Sequence, residues 1–389
     1  MSGSYDVTVG HEVPEGADLH NKKQRSVMVL NSSFIKTLSF SLFLCAGAQV
    51  QAQSDFGVYL DVESFTYSEP VSIDMAIEDW LGPDFERGDN QWTSNWAEAG
   101  FRWKNWSVGY LLREDYDLQF SEDLSELYWK TENKRPLDVG REYDVLLKVN
   151  SFSGEGFRFA FRDRKNHTFY QVGISYFEAQ QLMDGELSGT AIATSTSDYD
   201  FNGEVLYHYH EDVLFDRPVT APQGTGYALD ATLKWDYEDH ALFVNIKDLY
   251  GRIYWKDAPY TVGIANSNNT SIDSKGFKVV KPALSGVEGY DKEYVQKLSP
   301  RWHAEYDYSL NKYLSVGAAG HYQYDQFLYG VSVALGQKTG IRFTYWPEAE
   351  LYQVHTSIAG FRVGLGANTT EVEAIDNVWL TISWDIGRF

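Results

Sequence analysis

Apolar and polar residues alternate along most of this chain with a period of two. In "GFRFAFRDR", Phe157, Phe159 and Phe161 fall on one side, and Arg158, Ala160 and Arg162 on the other. "YGVSVALG" sets Tyr329, Val331, Val333 and Leu335 against Gly330, Ser332, Ala334 and Gly336. Ile341, Phe343 and Tyr345 oppose Arg342 and Thr344, and Phe361, Val363 and Leu365 oppose Arg362, Gly364 and Gly366. "YALDATLKWDY" repeats the pattern, with Asp230 and Lys234 on its polar side. The closing stretch "VWLTISWDIGRF" puts Val378, Leu380, Ile382, Trp384 and Ile386 on one face. Trp379, Thr381, Ser383 and Asp385 lie on the other. This period marks strands with two unlike faces.

Two kinds of connection separate the strands. Lys104-Asn105, Ser153-Gly154-Glu155, Asn311-Lys312, Lys338-Thr339-Gly340 and Ala359-Gly360 read as tight turns between antiparallel neighbours. Segments 67–95, 114–142 and 264–298 read as long, acidic loops, the first with seven acids and one Arg87. If direction is reversed at each turn, counting back from the C-terminus, the long segments fall at one end and the tight turns at the other. Transmembrane β-barrels have short periplasmic turns and long outer loops. The expected fold is therefore all-β: a single transmembrane antiparallel barrel of about 14–18 strands. A soluble sandwich fits less well, because the non-apolar faces carry arginine or lysine repeatedly and no linker divides the chain. "FGVYLDVESF" near residue 60 is the expected first strand and partner of the last.

Composition supports this reading. The 389 residues carry 33 basic and 55 acidic side chains, a net charge of −22, which argues against a nucleic-acid partner. The single cysteine, Cys45, excludes an internal disulfide framework. Lys36, the short apolar run after it, and Val50 and Ala52 at the −3 and −1 positions form an export signal cut after Ala52. Residues 1–52 are then a cleaved leader, with 1–27 read as a start-site artefact or a long pre-sequence, and 53–389 the barrel. No later apolar run is long enough to cross a bilayer as a helix.

The ending "WDIGRF" resembles the C-terminal signal of Gram-negative outer-membrane barrels, in which a terminal aromatic on an amphipathic strand is read by the insertion machinery. Here Phe389 is out of phase with Ile386 and Trp384, and a bulge at Gly387 would restore it. The resemblance implies outer-membrane localisation, with outer-membrane lipid, lipopolysaccharide and that machinery as partners. An oligomer is left open.

The face opposite the apolar set would line the lumen. Arg102, Arg158, Arg162, Lys234, Arg342, Arg362, Asp230 and Glu305 are the expected pore-lining residues, with Arg252 and Lys148 on the same face. Phe157, Phe159, Val331, Val333, Leu335, Leu380, Ile382 and Trp384 are the expected membrane-facing residues. Trp92, Trp96, Trp103, Trp106, Trp235, Tyr237, Trp255, Trp302, Trp346 and Trp379 are expected as interfacial girdles. Two readings of the inner charges compete: a wet pore lined by them, or a barrel that they plug by pairing. The pore is preferred, because so wide a ring should exceed the reach of its own side chains, with 264–298 as a constricting loop. His208, His210 and Asp212 in "YHYHED" are too few for a metal site, and His355 and Ser357 carry too little context for catalysis. No cofactor, metal or enzyme activity is expected. The function implied is a porin-like channel for small polar or anionic solutes. The alternatives are a non-channel barrel in a secretion or surface-polysaccharide system, and a lipid-acting barrel enzyme.

Overall fold

The structure is a computed structural model that describes residues 56–386 except 213–217, 267–269, 273–277, 281–282, 337–339 and 359. The leader, Cys45, Gly387 and Phe389 lie outside the described residues.

Among the described residues eighteen strands run in chain order: β1 (Phe56–Ser68), β2 (Asn90–Trp103), β3 (Trp106–Phe120), β4 (Glu142–Lys165), β5 (Thr168–Ala193), β6 (Tyr199–Tyr209), β7 (Gln223–Tyr237), β8 (His240–Asn266), β9 (Thr270–Ile272), β10 (Lys278–Val280), β11 (Ala283–Lys297), β12 (Arg301–Asn311), β13 (Leu314–Gln323), β14 (Gln326–Leu335), β15 (Ile341–Trp346), β16 (Leu351–Ile358), β17 (Phe361–Ala367) and β18 (Asn377–Ile386). Fourteen of them close an antiparallel barrel in the order β1–β5, β7, β8, β12–β18. The first strand meets the last as expected: Val58 pairs with Ile386, Leu60 with Trp384 and Val62 with Ile382.

One end carries tight turns. Lys104, Asn166 and Glu238 open three of them with positive φ, the hand that suits the strand twist of a hairpin. The other end carries the long connections. There β5 and β8 run to 26 and 27 residues. The part of β5 beyond Met183 leaves β7 and pairs with β6, which also pairs with the end of β8. Two connections at this end contain helices, α1 (Ile73–Ile77) and α2 (Glu122–Glu132), each capped by a serine, Ser72 and Ser121. They do not cover the mouth. Met75 and Trp80 pack with Phe120, and Leu127 with Tyr143 and Val145, which lie on the outward face of β3 and β4. This part of the wall is thus coated by protein.

Below that coat the outward face is largely bare and apolar, with exposed Glu155 and Glu178 among its exceptions. Phe157, Phe159, Val331, Val333 and Leu335 are exposed, with Phe159 at 53% and Val331 at 57%. Leu380, Ile382 and Trp384 are half-buried and pair in register with outward Leu365, Val363 and Phe361.

Three expectations change. Ser153-Gly154-Glu155 is no turn; it lies inside β4, beside a bulge in β5 at Gln181 that the ladder absorbs. Segment 264–298 is mostly strand, since Arg252–Asn266 of β8 pairs with β11 as a tall hairpin. Arg252 points outward: β8 bulges at Asp248, and beyond it Ile253 and Trp255 take the inner face while Arg252 lies over the exposed ring of Tyr250.

Candidate functional site

The lumen contains three levels. Nearest the tight turns it is hollow. Asp61, Asp236 and Arg362 point inward yet are exposed. Arg102 pairs with Asp385, and Arg162 lies 4.0 Å from the same carboxylate. Lys234 sits 5.6 Å and 5.5 Å from the ring centres of Phe169 and Phe243, close enough to Arg362 and Arg102 to feel their charge. Slightly higher, Arg342 bridges Glu305 at 3.0 Å and also holds Asp307.

At mid-height the lumen is shut. The bulge puts Asp248 in the left-handed region (φ 54) and turns its carboxylate inward. Arg113 of β3 donates to Asp248 Oδ1 from Nη1 at 2.8 Å and to Oδ2 from Nη2 at 2.9 Å. Arg301 of β12 donates to Asp248 Oδ2 at 3.1 Å and to Asp115 Oδ1 at 3.0 Å. All four side chains are buried. A second tie, Lys247 of β8 to Glu63 of β1 at 2.6 Å, crosses almost the full width of the ring. Beside it, Arg158 makes a two-pronged contact with Asp230 and reaches Glu98 at 3.4 Å. This pair lies flat on the wall because Gly173 is beneath it; a Cβ there would sit 2.5 Å from Arg158 Nη2.

Toward the loop end the lumen is filled by rings. Phe65 stacks on Trp379 with centroids 4.3 Å apart and meets Trp92 edge-on at 4.6 Å. Trp346, Leu328, Leu351 and Tyr324 complete the cluster. His321 of β13 reaches Phe65 of β1 across the lumen at 5.6 Å, and His303 lies 5.5 Å from Trp379.

These contacts report the shape of the ring. Lysine and glutamate are short beside the width of a round fourteen-strand barrel, so β1–β3 and β8–β13 stand closer than a circle would allow. The expectation that the lumen outreaches its own side chains therefore fails at mid-height. Of the residues expected to line a pore, Arg158 and Asp230 are buried in the seal, and Arg102, Arg162, Lys234 and Arg362 point into the hollow level. Trp92, Trp96, Trp255, Trp346 and Trp379 are not girdle residues; each is buried on the inner face, Trp92 at 0%. Trp103, Trp106 and Tyr237 are exposed at the tight-turn end, as a girdle requires. The missed residues carried a signal: Trp92 and Trp96 share the parity of Arg102, and Trp346 that of Arg342. Asp248 carried none, because only the bulge brings it inward. His355 and Ser357 also lie on the inner strand face, and a Cβ on Gly364 would sit 2.1 Å from the His355 ring. His208 bonds to Asp291 at 2.9 Å, and among the described residues no group of three or more His, Cys, Asp or Glu is placed to hold a metal ion.

No family model matches the chain, and no curated protein matches it. Similar solved structures are channels. The Pseudomonas putida toluene transporter TodX is 8% identical, with a TM-score of 0.38 over 91% of this chain and 92% of that one. A TodX mutant described as a monoaromatic hydrocarbon channel is 9% identical, with a TM-score of 0.38 over 91% and 93%. The Ralstonia pickettii toluene transporter TbuX is 8% identical, with a TM-score of 0.28 over 87% and 90%. At this level the likeness says nothing of cargo; the fold rests on the closed ring itself.

Proposed function

We propose that this chain is an integral outer-membrane barrel that passes small polar solutes, seen here closed. The bare apolar belt below the helical coat is a surface that only hydrocarbon suits. The observation that carries the channel reading is the nature of the block. Ion pairs between side chains shut the lumen, above a hollow lined by Asp61, Arg102, Arg162, Lys234 and Arg362. Paired side chains separate by exchanging partners with water once the two flattened sides of the ring part. The tight-turn end is then periplasmic, and its cations raise local anion concentration there.

Planar-bilayer recording tests this. Glu63→Gln unties Lys247 while leaving the Arg113 and Arg301 contacts in place, and should lengthen channel openings. Converting Arg102, Arg162, Lys234 and Arg362 together to glutamine should lower the anion/cation permeability ratio, less so at high salt. An unchanged ratio in a folded variant rejects the anion bias. A second reading, a non-channel barrel serving a secretion or surface-polymer system, is favoured by the completeness of the mid-height seal. Silence of both wild type and Glu63→Gln would select it.

A further inference from the structure

The ring-filled level of the lumen contains a second feature that the seal does not explain. Five polar atoms there have no hydrogen-bond partner among the described residues: Trp92 Nε1, Trp379 Nε1, Gln323 Nε2, His303 Nδ1 and His321 Nδ1. Trp92, Trp379, Gln323 and His321 are each at least nine-tenths buried. A buried polar group without a partner forgoes the hydrogen bond that water would give it. Here five do so within one cluster of rings.

Their roles are fixed by the bonds around them. An indole N–H can only donate, so both tryptophans offer donors. His321 Nε2 lies 3.2 Å from Gln323 Oε1, and His303 Nε2 lies 2.9 Å from Glu305 Oε1. Against a carboxylate or amide oxygen Nε2 carries the proton and donates, and in the neutral imidazole Nδ1 is then an acceptor. Gln323, accepting through its oxygen, has its NH₂ to offer. With both imidazoles neutral, the cluster holds three unused donors and two unused acceptors among aromatic faces. By contrast Trp346 Nε1, in the same cluster, is satisfied by Gln353 Oε1 at 3.1 Å.

We propose that this level is a binding subsite for a neutral hydroxylated ring with the chemistry of a pyranose. Each hydroxyl of such a ligand both donates and accepts, so one ring can serve indole N–H and imidazole nitrogen together. Its C–H face matches the aromatic faces. A carboxylate would satisfy the donors and repel the acceptors, and a hydrocarbon would satisfy neither. Entry requires the β1/β2/β18 side and the β12/β13 side to part. Between them at this level are ring contacts such as Phe65 with His321 and, among the described residues, no ion pair. The proposal takes only its route of access from the channel reading; binding is measured separately.

The test is calorimetric titration of the full chain in detergent with glucose and maltose, with sodium benzoate as the charged aromatic comparator. Trp379→Phe and Trp92→Phe each keep a ring and delete one N–H. Each should weaken sugar binding about tenfold, the size of one lost hydrogen bond. Trp302→Phe, on the outward face, should change nothing. Heat-modifiable migration on gels confirms that each variant is folded, and either tryptophan variant alone suffices if the other is not. Absence of sugar binding by the wild type overturns the subsite, as does wild-type sugar affinity in both Phe variants or tighter binding of benzoate than of either sugar. Sugar binding without conductance removes the channel reading alone; conductance without sugar binding removes the subsite alone.

Discussion

The wall from β2 to β8 and the wall from β13 to β18 enclose one lumen by opposite means. The first presents long charged side chains, Glu98, Arg113, Asp115, Arg158, Asp230 and Asp248, each ion-paired and buried. The second presents small ones, Gly317, Ala319, Gly330, Ser332, Gly364, Gly366 and Thr381, on which rings such as Trp346 and His355 lie. A charged wall must complete every pair, since a buried ion without its partner is costly. A small-residue wall leaves room and tolerates unused hydrogen bonds. The difference teaches where the lumen can yield: between rings more readily than between paired ions.

Substitutions can break this comparison. Asp248→Ala leaves Arg113 and Arg301 sharing Asp115 as their one buried carboxylate and should cost about 3–5 kcal/mol in denaturant unfolding. Arg342→Met on the other side, whose partners are half-buried, should cost about 1 kcal/mol or less. Equal losses would mean that the two walls are held alike. Val333→Arg, on the bare belt outside the small-residue wall, should cost about 2–4 kcal/mol if that position meets lipid near midplane; a neutral result in liposomes would move the belt. Gly173→Ala drives a Cβ against Arg158 and should cost about 1–3 kcal/mol. Gly330→Ala, whose Cβ would stand 3.0 Å from the Trp346 ring, should cost less in the same denaturation series.

The smallest effect lies outside the membrane. Burial, with Glu86 and Glu350 nearby, raises the Asp376 carboxyl to about 6 against the hydrogen bond from Asn368. The folded loop before β18 therefore holds its proton when the unfolded chain has released it. Its stability is fully present in acid and is lost as pH rises through 6. Glu126 on α2 behaves oppositely. Burial alone would raise it, but hydrogen bonds from Arg141 and Lys130 hold it below the usual carboxylate range, so that tie is lost as pH falls. Amide exchange at pH 5 and pH 7.5 should show tighter protection around Asn377 in acid, with α2 unchanged between the two.

The fold was legible because a two-residue period needs no long-range information. Phe157 against Arg158, or Val333 against Ser332, states its own face. The pairing of β1 with β18 followed from the need to leave no open edge. What was not legible depends on distance across the ring. Whether Arg113 faces water or Asp248 is decided by how far the barrel flattens, and no local pattern encodes that. A bulge of one or two residues, as at Asp248 or Gln181, turns a side chain through the wall without changing the composition around it. The inward tryptophans were readable by parity, and were obscured only by the prior that barrel tryptophans sit at interfaces.

The seam between β1 and β18 also constrains time. Its two strands stand at opposite ends of the described chain, with Val58 opposite Ile386. Contacts so remote in sequence form late, because the loop that they close carries the largest entropy cost. Until β18 arrives, both margins of the sheet offer unpaired backbone to any other strand. Every copy must therefore pass through a stage at which it is most of a wall with two adhesive edges, and the final ten residues of the seam determine whether that wall becomes a vessel or an aggregate.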